Sequence, residues 1–229
     1  MSATNSNAAP VVVYLVRHAE SEHNVSKDYS HRDPPLTTLG VSQASEIAAS
    51  FPDLRSVAVV FSSPLTRTLQ TALAGFSGVL NHDSVEDGGI RNGARVIIDQ
   101  DLQERSDLPC DTGSERAVLE SAFPALDFSA LGSNWFAKQG PYAVDDATVS
   151  KRAQRFRERL RDTAESLQRG EQGSGGRRGS IVVVTHGVFM KFLVEDATID
   201  LPKAGWKAFK VGSGINGDAA LLALDSMDH

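Results

Sequence analysis

Val11-Val12-Val13-Tyr14-Leu15-Val16 is a run of six apolar residues, four of them valine, that stops abruptly at Arg17-His18. A run this short does not cross a membrane, and without polar alternation it cannot face water on either side. It reads as a strand buried on both faces, as in a parallel sheet with helices above and below. Val57 to Phe61, the short Val96 to Ile98, and Ile181 to Thr185 read the same way. Residues 206–211 and 219–225 read as two later strands joined by a Gly-rich turn.

Helices fill the intervals. Thr37 or Thr38 can cap a helix to about Ser50, with Ala44, Ile47 and Ala48 on one face. Ser62-Ser63-Pro64 opens a helix to about Phe76, with proline in its first turn. Asp145 or Asp146 caps a long helix to about Gln168, whose apolar positions Val149, Ala153, Phe156, Leu160, Ala164 and Leu167 are spaced 4, 3, 4, 4 and 3 apart. Its Arg152–Arg161 cluster reads as a solvated face. Gly187 to about Asp196 is a short helix, and residues 17–36, 77–93 and 170–180 read as loops. The alternation predicts an α/β fold: three layers, α/β/α, around a largely parallel central sheet. We expect one domain over residues 10–229, a disordered tail over 1–9, and a mainly helical or loop insertion over about 105–145 that covers the active site. Trp135 and Phe136 are lid candidates there, with core packing as the competing reading.

Charge narrows the partners. The 23 basic and 29 acidic residues give a net charge of −6, so nucleic acid is not an expected partner and any anion site must be built from a few placed cations. One cysteine, Cys110, excludes an intrachain disulfide and a multi-cysteine metal site. No basic n-region precedes the first apolar run, so no signal or membrane segment is expected and the default location is cytoplasmic.

In open α/β sheets, ligands bind past the carboxyl ends of the strands. The first strand ends in Arg17-His18-Ala19-Glu20, the second in Ser62-Ser63-Pro64 with Arg67 a turn later, and the fourth in Thr185-His186-Gly187. The third is followed by Leu102-Gln103-Glu104-Arg105. Two histidines, two or three arginines and a carboxylate therefore converge on one sheet edge. Guanidinium groups bind phosphate oxygens bidentately, and phosphoryl transfer asks mainly for positioning and charge stabilisation. Other motifs fail. His18-Ala19-Glu20 with Pro109-Cys110 lacks the second cysteine of a zinc deaminase. His18 and His23 are five apart and do not form a metalloprotease helix. Gly212, Gly214 and Gly217 fit a dinucleotide fingerprint, but only 12 residues follow, so they read as a turn.

Taken in order, Arg17-His18-Ala19-Glu20 with Asn24, Leu36-Thr37-Thr38-Leu39-Gly40, Ser62-Ser63-Pro64-Leu65-Thr66-Arg67-Thr68, Leu102-Gln103-Glu104 and Thr185-His186-Gly187 resemble the histidine phosphatase superfamily in its phosphoglycerate-mutase-like branch. The resemblance spans about residues 11–225. It implies that His18 attacks phosphorus and becomes a phosphohistidine, with Arg17, Arg67 and His186 as further catalytic residues. Arg17, Asn24, Arg67, His186, Gly187 and Arg105 would bind the phosphate or substrate. Such a nucleophile must be neutral, and the neighbouring arginines would lower its pKa. Glu104 is the candidate general acid, then the base that activates water; such a group is worth roughly 10²–10⁴ in rate. Asp107 is its rival. Glu20 and Glu22 read as structural or supporting, and His23, His31, His82 and His229 as surface residues.

The resemblance implies no cofactor and no metal. The expected function is hydrolysis of a small organic phosphate monoester. Mutases of the family follow the acid-base glutamate with Arg and, soon after, Tyr-Gly. Here Glu104-Arg105 continues Ser106-Asp107-Leu108-Pro109, with few lysines nearby, which disfavours a cofactor-dependent phosphoglycerate mutase. A non-catalytic phospho-ligand binding protein is the third reading. A phosphopeptide phosphatase would need an open groove, which an ordered 105–145 insertion would close.

Overall fold

The computed structural model describes residues 10–85, 89–170 and 178–228. The expected tail over 1–9, most of the Gly-rich loop at 170–180 and His229 fall outside them. Six strands, β1 (Val12–Arg17), β2 (Val57–Ser62), β3 (Arg95–Ile98), β4 (Ser180–Thr185), β5 (Trp206–Ser213) and β6 (Ala219–Asp228), form one sheet in the order β3-β2-β4-β1-β5-β6. β1, β2, β3 and β4 are parallel, and β5 and β6 add antiparallel to the β1 edge.

The helices are α1 (Glu22–Ser26), α2 (Thr38–Ser50), α3 (Thr66–Phe76), α4 (Arg116–Ala122), α5 (Asp146–Gln168) and α6 (Gly187–Leu193). Alternate strand residues face opposite layers. Val13, Leu15, Val59, Phe61, Ile181 and Val183 pack in one core with Phe156 and Leu160 of α5 and Phe189 of α6. Tyr14, Val16, Val60, Val182 and Val184 pack on the other side with Ile47 of α2 and Phe76 of α3. Both faces of each central strand are thus covered, which is why the runs carry no polar alternation.

Several boundaries differ from the sequence reading. The 17–36 segment contains α1, capped by Ser21 in a reciprocal box with Asn24. Proline 64 stands before α3, whose first residue is Thr66. α6 ends at Leu193, and β5 and β6 run longer than expected. The arginine cluster on α5 is not a solvated face. Arg152 and Arg157 are buried. Arg152 donates to the carbonyls of Asp101 (2.8 Å) and Gln103 (2.6 Å), and Arg157 to Ala219 O (2.9 Å) and Phe192 O (3.0 Å). Arg155 and Arg159 pair with Asp101. Periodicity shows the apolar stripe but not which flanking cations fold back to serve carbonyls.

Residues 99–145 contain α4 and short 3-10 turns. Leu119, Leu126, Phe128, Leu131 and Trp135 form a third core against Leu65, Leu69 and Ile98. Trp135 is therefore a core residue and not a lid. Phe136 packs edge-on against it and lies under the Arg32 guanidinium, 4.7 Å from ring to cation.

Candidate active site

Register places the two strand-end histidines together. Arg17 on β1 pairs with Thr185 on β4, and Ser62 on β2 with Val184. The next residues, His18, His186 and Ser63, leave the sheet at one level, and the two imidazole rings stand 5.2 Å apart.

His18 is buried, and its Nδ1 lies 2.7 Å from its neighbour Ala19 O. A carbonyl only accepts, so Nδ1 carries the proton and Nε2 keeps the lone pair. Arg67 Nε donates to that Nε2 at 3.3 Å. Burial above all, then the charges of Arg67, Lys203 and Arg17, hold the His18 pKa well below 6.5. The sequence reading named the arginines; the larger cause is burial.

Arg67 is fully enclosed. It donates from Nη1 to Cys110 O (2.7 Å) and from Nη2 to Asp111 Oδ1 (2.8 Å) and His186 Nδ1 (3.1 Å). Arg67 can only donate, so His186 Nδ1 accepts, and Nε2 donates to Ser63 Oγ at 2.9 Å. Burial first, then Arg67, keeps the His186 pKa well below 6.5. The structure brings His186 to Arg67 and not to the wall of the cleft.

Arg17 donates from Nη1 to Asp200 Oδ1 (2.9 Å) and Leu201 O. Its Nε is buried without a partner, and its Nη2 has none among the described residues. The Nε–Nη2 edge is the fork that two phosphate oxygens fit. Gly187 makes room for it: a Cβ there would lie 3.0 Å from Arg17 Cζ.

Glu104 occupies the start of α6. Its Oε2 accepts from Val188 N–H (3.1 Å), and its Oε1 from Phe189 N–H (3.0 Å) and Arg105 N–H (2.7 Å). The start of α6, where Gly187 was expected to bind phosphate, is thus held by this side chain. Glu104 still lines the cleft. Its rival Asp107 is exposed and absent from the lining. Arg105 turns away, pairing with Asp146 at 2.6 Å and donating to Val144 O at 2.9 Å, so it is not a cleft residue.

Arg17, His18, Asn24, Arg67, Glu104 and Gly187 all line one cleft of about 270 Å³. The same cleft exposes residues that sequence order hides: His23, Tyr29, Cys110, Asp111, Lys191, Asp200 and Lys203. His23 is buried and not a surface residue. It closes a ring of hydrogen bonds. Ser21 Oγ, 3.1 Å from His23 Nδ1, donates to Asn24 Oδ1 (3.0 Å), and Asn24 Nδ2 lies 3.0 Å from His23 Nε2. Burial, with Arg67 next, lowers its pKa to about 4. Asn24 is thereby fixed by its own helix. The two lysines come from α6 and the 201–205 turn, far in sequence from Glu104, where the sequence reading found few.

His23, Cys110 and Asp111 bring a ring nitrogen, a sulfur and a carboxylate oxygen within 4.8 Å of one another. They suit a cation poorly. Asp111 already pairs with Arg67 and accepts from Ser106 Oγ at 2.6 Å. Burial raises the Cys110 thiol to about 11, disfavouring the thiolate that binds metal.

The cleft thus gathers a buried strand-end histidine, an arginine from the end of β1, an arginine from the first turn of α3 and a carboxylate. The chain belongs to the histidine phosphatase superfamily (branch 1), whose family profile matches residues 13–217. Phosphoglycerate mutase-like protein 1 of Arabidopsis thaliana is 30% identical over 53% of this chain, and the chain spans only about half of that protein, 52%. A Schizosaccharomyces pombe protein named as a probable phosphatase is 27% identical over 83% of each chain. The fold matches the crystal structure of alpha-ribazole phosphatase from Shigella flexneri, with a TM-score of 0.56, 22% identity and coverage of 94% of this chain and 96% of that one. It also matches Entamoeba histolytica phosphoserine phosphatase crystallised with phosphoserine, with a TM-score of 0.52, 19% identity and the same coverages. Among the described residues, no helix is long and apolar enough to cross a membrane.

Proposed function

We propose that this chain is a metal-independent phosphomonoester hydrolase that acts on a small organic phosphate through a phosphohistidine at His18. The observation that carries the reading is the pinned imidazole: Nδ1–H is held by Ala19 O, leaving the Nε2 lone pair beside Arg67 in the cleft. Nε2 attacks phosphorus and the P–O ester bond breaks. The leaving alkoxide takes a proton from Glu104, which lines the same cleft. Water then attacks the phosphohistidine, the P–N bond breaks, and Glu104 recovers its proton. Arg17 supplies its open Nε–Nη2 edge to the phosphoryl oxygens. The Arg67 Nε–H bond to Nε2 breaks as Nε2 attacks, and that N–H passes to the phosphoryl oxygens. His186, neutral, orients Arg67. Asn24 and the Gly187 backbone complete the wall.

Relatives carry both mutase-like and phosphatase names. The three carboxylates that line the cleft, Glu104, Asp111 and Asp200, support hydrolysis of a monophosphate over handling of a bisphosphate. The test is release of inorganic phosphate from an aryl phosphate, with EDTA, across pH 5–8, by wild type and His18→Ala. Wild type turns over with EDTA present, and His18→Ala does not. Because the His18 pKa lies well below 6.5, no acid-side loss centred near 6.5 is expected. Activity that EDTA abolishes, or that survives in His18→Ala, contradicts the reading.

A further inference from the structure

Both arginines of the cleft are already committed to acids. Arg17 pairs with Asp200 and Arg67 with Asp111, while the first amides of α6 are taken by Glu104. Four cationic side chains line the cleft, and of these only Lys191 and Lys203 make no side-chain hydrogen bond or close ion pair among the described residues. A phosphate monoester carries close to two negative charges at neutral pH, so the paired arginines by themselves leave its charge under-compensated.

Lys203 is the one tied to the reaction centre. Its turn is stitched to the end of β1: Arg17 N–H donates to Gly205 O at 3.0 Å and Ala204 N–H to His18 O at 3.4 Å. Ala204 sits at φ 60, in the left-handed region that a Cβ disfavours, so this turn is held in an uncommon conformation beside His18. The Lys203 side chain is half-buried, although a lysine normally carries its ammonium out to water. Burial first, then the charges of Arg17 and Arg67, pushes its pKa down to about 7. A half-buried ammonium that makes no hydrogen bond, lies in the field of two guanidinium groups and is only partly offset by Glu104 is an unsatisfied cation, and an arriving anion satisfies it.

We propose that Lys203 is a phosphoryl-binding residue, supplying, beside the open edge of Arg17, the charge that Asp111 withdraws from Arg67. The proposal rests on reading the His18 cleft as the phosphate site.

Calorimetric titration of inorganic phosphate into wild type, Lys203→Met and Lys203→Arg tests it, alongside hydrolysis of phosphoethanolamine and phosphoserine, which differ by one carboxylate. The expected result is a loss of phosphate affinity of about tenfold or more in Lys203→Met, as for a charged hydrogen bond. Lys203→Arg recovers most of it, and KM rises by a similar factor for both substrates. Unchanged phosphate affinity in Lys203→Met overturns the proposal. So does a loss confined to phosphoserine, which would place the contact on the carboxylate, or an equal loss in both variants, which would mark a structural role. Lys203-dependent phosphate binding without turnover by wild type would sink the hydrolase reading and leave the subsite standing. Turnover by wild type with Lys203-independent phosphate binding does the reverse.

Discussion

At the scale of single residues, the site works by removing choices. His18 has one ring nitrogen taken by a carbonyl, is buried beside two arginines, and so presents a neutral Nε2. Gly187 is the matching backbone choice. Its missing Cβ lets the Arg17 guanidinium lie across the start of α6. Gly187→Ala should displace that guanidinium and weaken a charged contact worth about 1.5–3 kcal/mol, or roughly ten- to a hundred-fold in kcat/KM. Alanine is otherwise the better helix former, so the melting temperature should not fall much. Steady-state kinetics and a melting curve on one variant check both halves. Full activity would mean that Arg17 does not meet the substrate where we place it.

At the scale of elements, the loop from Asp99 to Glu104 joins β3 to the chemistry, and α5 holds it. Arg152 bonds two of its carbonyls and lies over the Phe189 ring at 4.4 Å. Arg152→Met would strip the donor from two buried carbonyls, at about 1–3 kcal/mol each, and loosen the segment that aims Glu104. We expect lower stability by denaturant titration and a kcat reduced more than KM is changed. The strands and long helices were legible because burial on both faces leaves an uninterrupted apolar run and burial on one leaves a 3.6-residue stripe. Thr37 and Gly40 were legible as a motif, and the structure supplies the reason. Thr37 Oγ1 caps Gly40 N–H at 2.9 Å, and a Cβ on Gly40 would fall 1.9 Å from Glu20 O. His18, Arg67 and Glu104 could be placed because strand ends converge. Asp111 and Lys203 were not legible, because they enter the cleft from turns whose path depends on tertiary contacts, and the buried His23 was not, because α1, which carries it, reads as loop. Arg105 misled for the same reason: adjacency to Glu104 in sequence says nothing about which way its side chain turns.

At the scale of the whole molecule, three buried neutral histidines make stability depend on pH. His18, His23 and His186 all have pKa values lowered from 6.5 in the folded chain, His23 to about 4. As pH falls below 6.5, the unfolded chain takes up protons that the folded chain refuses, so folding stability declines. The His23 contribution is complete above 6.5 and lost by about 4; His18 and His186 act in the same direction, starting from the same 6.5. Urea midpoints measured from pH 7.5 to 4.5 should therefore drop on the acid side, and His23→Gln should flatten the slope by about one proton. A profile identical to wild type in that variant would mean that His23 titrates alike in both states.

The proposed function makes one chemical event central, transfer of a phosphoryl group to His18. The direct measurement is mass spectrometry of the protein quenched at alkaline pH during turnover of an aryl phosphate, with EDTA present. The account predicts one added phosphoryl group on the peptide that contains His18, absent in His18→Ala and lost again as substrate runs out. Turnover without that adduct, or an adduct on another residue, would contradict it.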